Sequence, residues 1–215
     1  MNDKTKVVFI LDRSGSMNHL REDTIGSFNS LVEEQRSKEG ECIISTVLFD
    51  NYVDVLHDNL DIEKVKTMTE DDYFTRGTTA LLDAIGITIN RTIGQYKDLY
   101  REERPDNVMF VIITDGMENA SKRFSYSKIK KMISKTEEEF GWEFIFVGAN
   151  IDAVREGARL GIRRERAVNY KPDRKGNKVV YESVGKTITQ YRTTSMIGES
   201  WKDDIDEDFA TRNNK

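Results

Sequence analysis

Short unbroken apolar runs alternate along the chain with stretches in which apolar residues recur at helical spacing. Val7–Leu11 reads as a buried strand, since an apolar run with no polar interruption suits a strand covered on both faces. Thr24–Gln35 places Ile25, Phe28, Leu31 and Val32 on one helical stripe, and Gly40 supplies a stop. Cys42–Phe49 is a second strand. Asp50-Asn51 then reads as a two-residue turn into Tyr52–Leu56, which predicts an antiparallel hairpin at a sheet edge.

Beyond the hairpin the alternation continues. Leu81, Ile85, Ile89 and Ile93 recur every four residues between Thr79 and Tyr100, with Leu82, Tyr96 and Tyr100 widening the stripe, so a long helix with one buried face is expected. Asn107–Thr114, "NVMFVIIT", has the composition of a central parallel strand. Ile129, Met132, Ile133 and Phe140 mark a helix capped by Ser125 and stopped by Gly141. A strand over Glu143–Val147, a short helix over Val154–Leu160 and a strand near Ala167–Tyr170 follow, then a last helix carrying Val180, Val184, Ile188 and Tyr191.

Strands alternating with helices predict an α/β fold, a doubly wound, mostly parallel sheet flanked by helices with one antiparallel edge strand. No Pro/Gly/Ser linker or internal repeat divides the chain, so residues 1–200 read as one domain. The stretch from Trp201 to Lys215 contains Asp203, Asp204, Asp206, Glu207 and Asp208 and reads as a mobile acidic tail.

Charge and cysteine content narrow the function classes. The 215 residues hold 38 Asp and Glu against 33 Lys and Arg, a net charge of −5, with no basic block interleaved with aromatics, which argues against a nucleic-acid partner. The single cysteine, Cys42, can form no intrachain disulfide and reads as a small core residue. The apolar run after Lys6 is closed by Asp12, too early for the core of an export signal, and no run approaches the length of a membrane span. A soluble cytoplasmic protein is expected.

In a doubly wound sheet, ligands gather outside the carboxyl ends of the strands. Two apolar strands end there in an aspartate, Asp12 after Val7–Leu11 and Asp115 after "MFVIIT". Ser14 and Ser16 follow Asp12 at alternate positions, with Gly15 between them so that the loop can bend. A third segment, "RGTTALLDAIG", sets threonines at the start of the long helix. Hydroxyls and carboxylates are hard oxygen donors, suited to Mg²⁺, Mn²⁺ or Ca²⁺ and poorly to Zn²⁺. Two carboxylates balance a divalent charge, and the neutral hydroxyls leave the ion electrophilic at an open position.

"DRSGS" is similar to the Asp-x-Ser-x-Ser signature of von Willebrand factor type A domains. "GTTALLDAI" resembles their threonine segment and "IITDGMEN" their second-aspartate segment, in the family's order, over roughly Lys6 to Tyr170 or beyond. The resemblance implies a metal-ion-dependent adhesion site (MIDAS) in which Ser14 and Ser16 ligate directly and Asp12 and Asp115 act largely through water. Thr79 ligates directly or through water. Thr79 is assigned in preference to Thr78 because it precedes "ALLDA". The implied ion is Mg²⁺, with Mn²⁺ or Ca²⁺ as alternatives. The implied partner is a protein that supplies an Asp or Glu carboxylate, in the setting of an ATPase or multi-protein assembly.

Other residues nearby have blander roles. Ser14 and Ser16 could instead cap the following helix. Arg76 and Thr78 read as rim or capping residues, Arg13 as a solvated arginine, and Glu118 and Asn119 as neighbours at the edge. His19 lacks a second His or Cys and is poor ground for zinc. His57, on the hairpin edge, is expected to be exposed. Tyr73 and Phe74 read either as an apolar rim or as loop anchors.

The function expected is a non-enzymatic, metal-dependent binding (adaptor) module. The alternatives are a Mg²⁺-dependent phosphohydrolase of the haloacid dehalogenase type and a structural domain with a vestigial site. The phosphohydrolase needs a second aspartate two residues after the first, where this chain has Ser14. A serine hydrolase needs a G-x-S-x-G elbow and a histidine partner, and neither is present.

Overall fold

The computed structural model describes residues 4–213. Residues 1–3 and 214–215, the outer ends of the expected domain and tail, lie outside the described residues. Six strands form one sheet: β1 (Lys4–Asp12), β2 (Glu41–Phe49), β3 (Val53–Asp61), β4 (Asn107–Thr114), β5 (Glu143–Gly148) and β6 (Ala167–Asn169). Their order is β3-β2-β1-β4-β5-β6, and every pairing is parallel except β2 with β3. The expected mostly parallel sheet with one antiparallel edge is therefore the fold observed.

Alternate residues of a strand face opposite sides of a sheet, and β1 fills two cores in this way. Val7, Phe9 and Leu11 face α1 (Arg21–Arg36) and α5 (Arg174–Thr194), packing with Phe28, Leu31, Val184 and Ile188. Val8 and Ile10 face the other layer, packing with Ile85 and Ile89 of α2 (Leu81–Asp98), Ile129 and Ile133 of α3 (Tyr126–Phe140) and Leu160 of α4 (Ala153–Leu160). Central strands covered on both sides have no polar face, hence the unbroken apolar runs. Ser125 caps α3, and Gly141 ends it in a left-handed conformation. Cys42 is buried, as expected of a core residue. Among the described residues no helix is long and apolar enough to cross a membrane.

Three expectations about the strands and the chain's end need correction here. The edge strand starts at Val53 and continues to Asp61, past the polar residues that obscured it, with register shifts between Ile44 and Val47 of β2. His57 is buried, not exposed: the residue is 3 % accessible and its ring nitrogens lie 3.0 Å from Thr46 Oγ1 and the Lys66 carbonyl. Burial lowers its pKa below the usual histidine value.

The third correction concerns the acidic terminus, which forms an ordered helix, α6 (Asp203–Asn213). Trp201 and Ile205 enter the core cluster of α1 and α5, and the Trp201 indole donates to the Glu165 carbonyl at 2.7 Å. The acids turn to basic residues instead of solvent alone: Asp204 pairs with Lys186 and Asp208 with Lys175, each at 2.8 Å, while Arg212 also holds Asp208.

Candidate metal site

Parallel register brings β1 and β4 side by side, Leu11 against Ile113, so that Asp12 and Asp115 leave the sheet at the same edge. Asp12 is fixed at both oxygens. Its Oδ1 accepts the Ser14 backbone N–H at 2.7 Å, which turns the chain sharply, and its Oδ2 accepts the Thr114 hydroxyl at 2.5 Å. Ser14 Oγ lies 3.0 Å from Ser16 Oγ, and Ser16 Oγ donates to Asp115 Oδ1 at 2.5 Å. The alternate spacing of the serines thus directs both hydroxyls to one point. Ser14 makes no side-chain cap on the turn that follows.

Thr79 reaches the same point from the α2 loop. A Cβ placed on Gly116 would lie 3.2 Å from Thr79 Oγ1, a tight contact, and 3.7 Å from Ser16 Oγ, an ordinary one, so Gly116 sits against both hydroxyls. Thr79 is buried while Thr78 is exposed and bonds to Asn51. The Thr79 backbone is clamped by Asn119, whose Oδ1 accepts the Thr79 N–H at 2.9 Å and whose N–H donates to the Thr79 carbonyl at 3.0 Å. Gly77, at φ +65°, sits where a Cβ would fall 1.9 Å from Asn51 Oδ1. All five residues of the sequence assignment, Asp12, Ser14, Ser16, Thr79 and Asp115, therefore meet at one place.

The electrostatics of this place are unusual for two adjacent acids. Neither Asp12 nor Asp115 pairs with a Lys or Arg among the described residues. Burial, with a smaller contribution from Asp115, pushes Asp12 up to about 6 against the hydrogen bonds that favour its charge, and burial also raises Asp115. Asp115 Oδ2 is buried with no hydrogen-bond partner. A buried carboxylate oxygen left unpaired carries a desolvation cost of about 1–3 kcal/mol or more, which a cation would offset. The donor set, two carboxylates and three hydroxyls, fits a divalent ion with a preference for oxygen.

Surrounding residues hold the loops in place. Arg13 is buried, contrary to expectation: its Nε pairs with Asp50 at 3.0 Å, it also holds Asp54, and its guanidinium lies over Phe74. Tyr73 is wholly buried and donates its hydroxyl to the Asp12 carbonyl, so it anchors the loop and is no part of a rim. Phe74 stays partly exposed between the Arg13 and Arg76 guanidiniums. Glu118 receives the Leu82 N–H at 2.9 Å and the Ser121 N–H at 2.7 Å, capping α2. His19 bridges the Ser16 and Pro172 carbonyls at 2.8 and 2.9 Å. Thr114 and Asn119 lie within "IITDGMEN" and Arg13 within "DRSGS", but the contacts by which they support the site join segments far apart in the chain, which no local pattern reveals.

The sequence matches no family model and no curated protein. Solved structures nonetheless share its architecture. Proximal thread matrix protein 1 from the mussel byssus aligns with a TM-score of 0.58 and 16% identity, over 86% of this chain and 46% of the mussel chain. Another structure of that protein, with a zinc-occupied MIDAS motif, aligns with a TM-score of 0.57 over the same shares. A D319A mutant of the PilB minor pilin from Streptococcus sanguinis gives 0.59 at 12% identity, covering 90% of this chain and 63% of the pilin. A von Willebrand factor type A protein from Catenulispora acidiphila gives 0.58 at 12% identity, covering 86% and 43%. This chain thus spans from under half to under two thirds of the length of these proteins. Its fold is that of von Willebrand factor type A domains.

Proposed function

We propose that this chain is a divalent-cation-dependent protein-binding module with no catalysis of its own, working in the cytoplasm beside an ATPase or within a multi-protein assembly. The observation that carries the reading is the unpaired, buried Asp115 Oδ2 next to converging hydroxyls, with no Lys or Arg among the described residues to neutralise the pair. Asp12, Ser14, Ser16, Thr79 and Asp115 would hold the ion, which when bound supplies an electrophilic open position for a partner's Asp or Glu carboxylate. Ser16 is exposed, so a partner can approach from its side. Thr114 and the Ser14 amide orient Asp12, and Asn119 orients Thr79.

The phosphohydrolase alternative finds little support. Ser14 occupies the place of its second aspartate, and the two histidines are engaged elsewhere, His57 with Thr46 and His19 with main-chain carbonyls. Mg²⁺ is the ion we favour. The zinc in the mussel protein's MIDAS motif makes Zn²⁺ a necessary comparison.

Calorimetric titration with Mg²⁺, Mn²⁺, Ca²⁺ and Zn²⁺ tests the proposal. One site is expected in the parent and none in Asp12→Ala, which should still unfold cooperatively. A parent that binds none of these ions would leave a vestigial domain as the better reading. Phosphatase, esterase and nucleotidase turnover that disappears in Asp12→Ala would favour the enzyme instead.

A further inference from the structure

The carboxyl ends of β5 and β6 open into a cleft of about 680 Å³ that adjoins the metal site. Met117, two residues beyond Asp115 and 60% exposed, lines it together with Asn150, whose Nδ2 donates to the Asp115 carbonyl at 3.4 Å. Ile151, Pro172 and Phe209 of α6 make much of the remaining wall apolar. A chain segment that delivers a carboxylate to the Asp12–Asp115 site therefore has an apolar recess directly beside it.

The charges around the cleft are uneven. Arg155, Arg159 and Lys171 line it against Asp152 and Glu156. Both acids are already engaged: Asp152 Oδ1 accepts the Arg155 N–H at 3.0 Å as the cap of α4, and Glu156 pairs with Arg159 at 2.9 Å and accepts from Tyr126. Lys171 donates to the Arg212 carbonyl at 2.9 Å. The exposed Arg155 guanidinium has no partner among the described residues. On the opposite flank of the site the balance is closed, because Arg13 and Arg76 are matched by Asp50 and Asp54. Of these two flanks, the one towards α4 is where a guanidinium is left without a partner among the described residues.

We infer that the cleft is a docking groove for an extended partner segment with acidic–apolar–acidic chemistry. The first acid engages the metal site, the apolar side chain enters the recess between Met117 and Phe209, and the second acid pairs with Arg155. The inference rests on the metal-dependent reading given above for the first acid, and on the cleft alone for the other two contacts. Charge complementarity sets the direction in which the segment runs, and apolar burial adds affinity beyond a single carboxylate contact.

A library of random displayed dodecapeptides, selected on the full chain in Mg²⁺, tests this. Enriched peptides should carry two acids flanking an apolar residue and be released by EDTA. A synthetic peptide of that sequence should bind Arg155→Glu about tenfold or more weakly. Exchanging its second acid for Lys should restore binding to Arg155→Glu, a reversal that damaged folding cannot mimic. Phe209→Ala, checked for an intact melt, should weaken the parent peptide too. EDTA-sensitive peptides that bind Arg155→Glu and Phe209→Ala like the parent would overturn the groove and leave the metal site standing. Peptides that need Arg155 but bind Asp12→Ala unchanged would support the groove and overturn the metal-dependent reading. Failure to enrich any peptide overturns the groove.

Discussion

At the carboxyl ends of β1 and β4, Asp12 and Asp115 meet hydroxyls and backbone amides. On α6, Asp204 and Asp208 meet Lys186, Lys175 and Arg212. Both regions are acidic, yet their charge is handled oppositely. Burial raises the site carboxylates, whereas at Asp208 the opposing push of burial is outweighed by hydrogen bonds from Lys175 and Arg212, which lower it. The number of acids therefore says little about function. What matters is whether the fold supplies the counter-charge or leaves it to be supplied from outside.

The largest effect should come from removing the uncompensated charge. Asp115→Asn should weaken divalent-ion binding by more than about 100-fold, read by calorimetry. In EDTA its melting temperature should equal or exceed the parent's, because an unpaired buried carboxylate is lost. The parent held at 100 times its dissociation constant should gain about 2.7 kcal/mol from the ion, and the variant less than about 0.4 kcal/mol. A parent whose melt ignores divalent ions would erase the contrast between the two regions.

On α6 the packing should dominate. Ile205 is 1% accessible, so Ile205→Ala should cost about 2–5 kcal/mol in a urea titration while leaving ion affinity untouched. A cost near zero would mean that α6 is not docked as described. Asp208→Asn should cost less, about 1–3 kcal/mol, since Arg212 keeps Asp173 at 2.5 Å as a second partner.

The two regions should also respond to pH with opposite sign. A carboxyl raised on folding binds more protons in the native state. The Asp12 contribution in EDTA is therefore fully present below pH 3.8 and is lost as pH rises through about 6. Asp208 is lowered on folding, so its contribution is present above pH 3.8 and is lost as pH falls through its lower native value. Stability measured from pH 3 to 7 in EDTA should show Asp12→Asn reducing the falling component, which Asp115 shares, and Asp208→Asn reducing the rising one. Identical profiles for both variants would contradict the assignment. The smallest effect belongs to Lys186→Ala, whose pair with Asp204 is exposed on both sides and should leave the melt unchanged.

Legibility in the sequence followed the strength of periodic burial. β1, β4 and β5 read clearly because both faces are covered and their residues are apolar throughout. β3 read only in part, since an edge strand alternates and its polar residues resemble a loop. α6 was obscured by its acids, although Trp201, Ile205 and Phe209 stand every fourth residue, a stripe that a helical template would have matched. Arg13 and His57 misled for another reason: polar residues become buried through partners in distant segments, Asp50 and Lys66 among them.

The sequence by itself determined the alternation of strands and helices, the polar groups that end β1 and β4, and the oxygen chemistry of those groups, because each is written in residues close together along the chain. Only the tertiary structure decided which of those groups meet and which charges stay unpaired. Thr114 reaches Asp12 across 102 residues and Ser16 reaches Asp115 across 99, contacts fixed by the parallel register of two strands. The partners that neutralise α6, and their absence among the described residues beside Asp12 and Asp115, follow from packing geometry, which brings together side chains that no local pattern relates.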